Sequence, residues 1–187
     1  MSKETEPDVP ADAVPVAPPQ PKREPATGLA LYFLRHADAG DPAKWTGDDA
    51  DRPLSSKGRR QAKRLGRLLK KLDAGPETVL TSPKLRASET ARPVARSIGL
   101  HASVDDRLSV DFGEQDLAAV VAGLEPNVRG LLLVGHDPDF SDLVSWLVGS
   151  QIEMQKGALA RIDLPDRSLK KGGGSLRWLL PPDAVPG

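Results

Sequence analysis

The apolar run Leu29-Ala30-Leu31-Tyr32-Phe33-Leu34 ends directly in Arg35-His36. Such a run is too short to cross a bilayer and rich enough for a strand buried on both faces. It delivers a cation and an imidazole to a strand's carboxyl end, where open α/β sheets place their ligands. The same pattern recurs twice. Thr78-Val79-Leu80-Thr81 runs into Ser82-Pro83-Lys84-Leu85-Arg86, and Leu131-Leu132-Leu133-Val134 runs into Gly135-His136-Asp137-Pro138.

Between these runs the pattern changes to helical spacing. Ala37 to Pro53 is a polar loop, long enough beside a strand-end histidine to carry function. Ser55 is the predicted N-cap of a first helix, with Leu54 stapling its first turn and Ala62, Leu65, Leu69 and Leu72 as its buried stripe. Ser82 and Pro83 predict the cap and first residue of a second helix, which carries Arg86, is bent at Pro93 and is closed by Gly99. His101 to Val104 reads as a short strand, Asp105 to Gly113 as an acidic loop, and Glu114 to Leu124 as a third helix. Asp137 and Pro138 open a fourth, with Leu143, Val144, Trp146 and Leu147 facing inward. Ala158 to Leu164 and Ser175 to Leu180, joined across Gly172-Gly173-Gly174, predict an antiparallel hairpin. Strands alternating with helices predict a three-layer α/β/α sandwich, its sheet mostly parallel with an antiparallel C-terminal edge hairpin.

At 187 residues, one domain is the expectation. Residues 1–28 hold seven of the 18 prolines and no aromatic residue, a composition expected to stay disordered, so the folded domain is assigned to residues 29–187. Pro15 to Pro18 fits a Pro-x-x-Pro ligand pattern, for which a plain spacer is the simpler reading. The 26 basic and 26 acidic residues cancel, which argues against a whole-molecule polyanion binder. The absence of cysteine excludes a disulfide framework and thiolate chemistry. No signal-like or membrane-spanning run is seen, so a cytoplasmic monomer with no membrane partner is expected. Lys57 to Lys71 carries eight basic residues and no acidic one. That stretch reads as a solvated face or as a local field that steers an anionic partner. Nucleic acid is not the expected partner, because the stretch has no interleaved aromatics.

A lone histidine is more often structural than catalytic, and His101 takes that reading. Arg35, His36, Arg86 and His136 differ because each lies at or just beyond a predicted strand end. Two guanidiniums match the paired oxygens of a phosphoryl group, and a helix N-terminus beside them adds partial positive charge. A neutral imidazole in line with phosphorus can attack it, while a second, protonated one holds a nonbridging oxygen. Neither step requires a metal or cofactor. The two guanidiniums disfavour the imidazolium form of His36. Ser82 at its strand end and Asp38, two residues past His36, complete the expected substrate contacts.

Four blocks, Leu34-Arg35-His36-Ala37, Leu54 to Ala62, Ser82 to Ala91 and Val134-Gly135-His136, closely resemble the histidine phosphatase (phosphoglycerate mutase-like) superfamily. The resemblance spans about residues 29–180. Arg52-Pro53-Leu54, the Gly135-to-Phe140 segment and Lys156-Gly157 are similar to SixA-type phosphohistidine phosphatases. That resemblance implies His36 as the phosphorylated nucleophile, Arg35 and Arg86 as phosphate-pocket arginines, His136 as the second pocket histidine, and Arg52 as a further phosphate contact.

Two departures stand out. Ala37 replaces the usual glycine, which tests whether position 37 needs a positive φ. Val110 stands where many relatives have a general-acid glutamate, so the acid is either missing or supplied by Asp38, Asp111 or Glu114. A phosphoramidate releases an imidazole through a labile P–N bond and tolerates a weaker acid than an ester. The expected substrate is therefore a phosphohistidine-bearing protein, such as a phosphorelay His-containing domain. It would reach an open crevice, since Leu100 to Gly130 leaves little chain for a lid. The alternatives are a broad-specificity phosphomonoesterase and a non-catalytic phosphate-recognition module.

Overall fold

The structure, a computed structural model, describes residues 28–72 and 75–184. The tail expected to be disordered, with its Pro-x-x-Pro pattern, lies outside the described residues except for Gly28. Six strands form one sheet: β1 Leu29–Arg35, β2 Thr78–Thr81, β3 Ala102–Val104, β4 Gly130–Gly135, β5 Leu159–Leu164 and β6 Ser175–Leu180. Their order is β3-β2-β4-β1-β5-β6. The first four are parallel, while β5 runs antiparallel to β1 and β6 antiparallel to β5. The helices are α1 Ser56–Leu72, α2 Leu85–Ser97, α3 Glu114–Ala122 and α4 Asp139–Val148. None is long and apolar enough to cross a membrane among the described residues.

Strand side chains alternate between two faces, and this divides the core. Leu29, Leu31 and Phe33 of β1 pack with Leu131 and Leu133 of β4 beneath α3 and α4. Tyr32 and Leu34 pack with Leu132 and Val134 beneath α1 and α2. Both central strands are therefore buried on two sides, as their unbroken apolar runs predict. The result is the expected α/β/α sandwich with its C-terminal hairpin at one edge.

Helix starts depart from expectation in informative ways. Ser55 does cap α1, accepting the Gly58 N–H at 3.0 Å. Leu72, however, is 44% exposed, so the buried stripe of α1 ends at Leu69. Ser82 is not the cap of α2. The helix begins at Leu85, and the Ser82 hydroxyl accepts the N–H of Lys84 in the turn before it. Helix α4 likewise begins one residue later than predicted, at Asp139. The Asp137 carboxylate still serves its first turn by accepting from Ser141 N–H at 3.3 Å. Pro93 lies within α2, which runs through it to Ser97.

Gly58 is where α1 meets the end of β1. A Cβ there would lie 2.0 Å from the Asp38 carbonyl oxygen, so only glycine permits this approach. Position 37 has no such need. Among the described non-glycine residues only Asp111 has a positive φ, so Ala37 sits without backbone strain.

Candidate active site

Parallel register brings the three strand ends side by side. His36 N–H donates to Gly135 O at 2.9 Å, and Ser82 N–H donates to Val134 O at 2.9 Å. His36, His136 and Ser82 thus leave adjacent strands β1, β4 and β2 at one level. Over them lies a crevice of about 330 Å³, lined by Arg35, His36, Arg52, Arg86 and His136, with Lys84 and Lys156 as further cations and Asp111, Asp137 and Asp139 as carboxylates.

The two imidazoles are 5.2 Å apart between ring centroids, and both are buried, at 5% and 8% exposure. His36 Nδ1 is 2.8 Å from Ala37 O, so Nδ1 carries the proton and Nε2 keeps a bare lone pair. Burial pushes the His36 pKa down to about 4, opposed by its bond to Ala37 and assisted by the nearby charges of Arg86, Arg35 and Lys156. His136 is pushed down to about 3 by burial first, then by His36, Arg86 and Lys84. Held well below 6.5 by burial first and by the surrounding cations second, both imidazoles are neutral at pH 7. His136 Nε2 lies 2.8 Å from Ser82 Oγ. Among the described residues Nε2 is the only acceptor that the Ser82 hydroxyl meets, since its other contact is the Lys84 N–H it accepts, so the hydroxyl donates to Nε2 and His136 keeps its N–H at Nδ1.

The arginines are held from behind. Arg35 Nη1 donates to Asp137 Oδ2 at 3.2 Å and to Met154 O at 2.6 Å. Arg86 donates from Nη1 to Asp49 O at 2.6 Å and from Nη2 to Asp49 Oδ2 at 2.9 Å. Arg52 Nε donates to Asp49 Oδ1 at 3.0 Å and its Nη1 to Ala39 O at 3.0 Å. Partial burial pushes the Asp49 carboxyl up, but the Arg52 hydrogen bond and the Arg86 charge outweigh it and hold it below the usual carboxylate value.

Three buried polar atoms here have no hydrogen-bond partner: Arg35 Nε, Arg86 Nε and His136 Nδ1. An unmet buried donor costs about 1–3 kcal/mol. All three belong to side chains that line the crevice.

Two predicted contacts fall outside the crevice lining. Asp38 faces α1 instead, its carboxylate accepting from the Ser55 hydroxyl and from Gly40 N–H. The Ser55 bond holds the Asp38 carboxyl below its usual range. Ser82 is fully buried and reaches the site through its contacts with His136 and Lys84. Of the substitute acids, Asp111 lines the crevice, while Glu114 lines a neighbouring groove. Among the described residues no three of His, Cys, Asp and Glu stand close enough to hold a metal ion. Asp49 escaped the sequence reading because its contact with Arg86 spans 37 positions. Its spacing three residues before Arg52 was the available signal.

The family model of the histidine phosphatase superfamily (branch 1) matches residues 31–118. An uncharacterised protein of Picosynechococcus sp. is 38% identical over 120 residues, covering 61% of this chain and 70% of that one. The chain belongs to the histidine phosphatase superfamily. Within that superfamily it is similar to the phosphohistidine phosphatase SixA of Escherichia coli, at 26% identity over 159 residues, covering 82% of this chain and 94% of the relative. The solved structure of the protein histidine phosphatase SixA complexed with tungstate matches with a TM-score of 0.72 and 27% identity, over 84% of this chain and all of that one. The chain is therefore a phosphatase-type hydrolase with the SixA-like fold.

Proposed function

We propose that this protein hydrolyses phosphohistidine on proteins through a covalent phosphohistidine at His36. The observation that carries the covalent step is the Nδ1 contact to Ala37 O, which leaves Nε2 as a lone pair within the crevice. In the first step Nε2 forms a bond to phosphorus as the substrate P–N bond breaks. The bonding pair stays on the departing imidazole nitrogen, which takes up a proton from bulk water. Arg35 and Arg86 stabilise the charge on the phosphoryl oxygens, and His136 donates from Nδ1. Water then attacks phosphorus, the P–Nε2 bond breaks, and phosphate leaves with His36 neutral again. The similar SixA protein was solved with tungstate, a tetrahedral oxyanion that suits the same donor arrangement.

The preference for a protein N-phosphate rests on the rim. Residues 105–129 supply one 3-10 turn and the single helix α3, and Val110 at the crevice is 60% exposed. A protruding side chain can enter such an opening. Asp111 favours a second reading, a phosphomonoesterase: it lines the crevice, and neither a hydrogen bond nor an ion pair engages its carboxylate among the described residues. A carboxyl in that place could serve as the acid for an alkoxide leaving group.

The test compares kcat/KM for a phosphohistidine peptide and a serine phosphate peptide of the same sequence, using wild type and Asp111→Asn. Faster turnover of the N-phosphate, insensitive to Asp111→Asn, is expected. Faster ester turnover that collapses in Asp111→Asn would establish the esterase reading instead.

A further inference from the structure

Behind Arg35 the hydrogen bonds close into a ring that no part of the chemistry above uses. Arg35 Nη1 has two hydrogens, and both are engaged, one by Asp137 Oδ2 and one by Met154 O. The other oxygen of Asp137 accepts from Ser141 Oγ at 2.8 Å and from Ser141 N–H at 3.3 Å. Ser141 Oγ in turn accepts the Met154 N–H at 3.0 Å. The ring therefore runs from Arg35 to Asp137, Ser141, Met154 and back to Arg35. It ties the end of β1 to the residue after His136, the first turn of α4 and the segment leading into β5.

Each bond runs in a direction that the others require. With its one proton given to Asp137, the Ser141 hydroxyl is left as the acceptor for Met154, whose carbonyl then faces Arg35. Side-chain exposure is 21% for Arg35 and 16% for Asp137, so water competes weakly for these bonds. With Nη1 fully occupied, the donors left to Arg35 are Nη2 and Nε, and Nε is one of the unpartnered buried atoms.

We infer that Asp137 and Ser141 are positioning residues that fix the Arg35 guanidinium where it lines the crevice. The inference rests on the phosphatase reading above. Neither residue takes part in bond making. Ser141 acts solely through Asp137 and Met154, and both act on Arg35.

A double-mutant cycle tests this, since residues acting through a common partner are not additive with it. The probe is phosphoimidazole, a small phosphoramidate, with p-nitrophenyl phosphate run in parallel. Ser141→Ala and Asp137→Asn are each expected to lower kcat/KM about tenfold in the wild-type background and less than about twofold in the Arg35→Met background. Ser141→Thr, which restores the hydroxyl, is expected to stay within about threefold of wild type. The same loss factor in both backgrounds, or no loss in either single variant, would overturn the inference. Asp137→Asn keeps side-chain size and serves as the arm for the case in which Ser141→Ala does not fold. A wild type that turns over the ester but not the phosphoramidate sinks the substrate reading alone, and the cycle is then read on the ester. A wild type inert on both overturns the reading and the inference together.

Discussion

Arg35, on one wall of the crevice, is tied to a carboxylate that is 16% exposed and to a main-chain carbonyl next to β5. Arg52 and Arg86, on the opposite wall, converge on Asp49, whose side chain is 55% exposed and sits in the loop between β1 and α1. The first arrangement starts at the end of β1, which the sheet register fixes, and closes on Asp137 just past β4 and on Met154 in the segment before β5. The second depends on a 3-10 turn at Asp49–Asp51 that its own arginines help to hold. One wall therefore supplies a set geometry beside the nucleophile, and the other supplies charge on a more adjustable mount.

The largest expected effect comes from removing the grip of the adjustable wall. Arg86→Met should lower kcat/KM about 10²–10³-fold, the size associated with losing one preorganised donor. A loss below tenfold would mean that Arg52 and Lys84 carry that wall without it.

The next effect concerns the buried imidazoles at the junction of the walls. An unfolded histidine titrates near its ordinary 6.5, whereas His36 titrates at about 4 and His136 at about 3 in the folded protein. Between those values the unfolded chain binds more protons than the folded one, so stability falls as pH falls. From pH 7 to pH 5 the loss should be about 2 kcal/mol per histidine, seen in urea unfolding and reduced in His36→Ala. The acid limb of kcat/KM should correspondingly lie below pH 5.

A smaller effect separates the walls directly. Asp49→Asn removes an exposed carboxylate but keeps the backbone carbonyl that holds Arg86, so kcat/KM should change less than about fivefold. A larger loss than that of Asp137→Asn would reverse the ranking of the two walls. Smallest of all is the contribution of α1, none of whose residues lines the crevice. Replacing Lys57, Arg59 and Arg60 by glutamate should alter the salt dependence of kcat/KM for an acidic phosphoprotein and leave kcat unchanged. Unchanged salt dependence would show that the field of α1 does not guide the substrate.

This contrast also explains what was legible in the sequence. Strands β1 and β4 announce themselves because burial on both faces demands continuous apolar runs, and their ends deliver His36 and His136 to adjacent positions. Arg35 and Arg86 could be singled out for the same reason. The partners that hold them could not, since Asp49 and Met154 lie 37 and 119 positions from the arginines they meet. Asp38 and Ser82 looked like contacts because they neighbour the site in sequence. Their side chains bond instead to Ser55 of the α1 cap and to His136.

The measurement that tests the central claim most directly is phosphoenzyme trapping by rapid quench into alkali, followed by peptide mapping and assignment of the phosphorylated nitrogen. Acid-labile phosphate on Nε2 of His36, absent from His36→Ala, is the predicted result. Label on His136, label that survives His36→Ala, or turnover with no phosphoenzyme on the millisecond scale would contradict it.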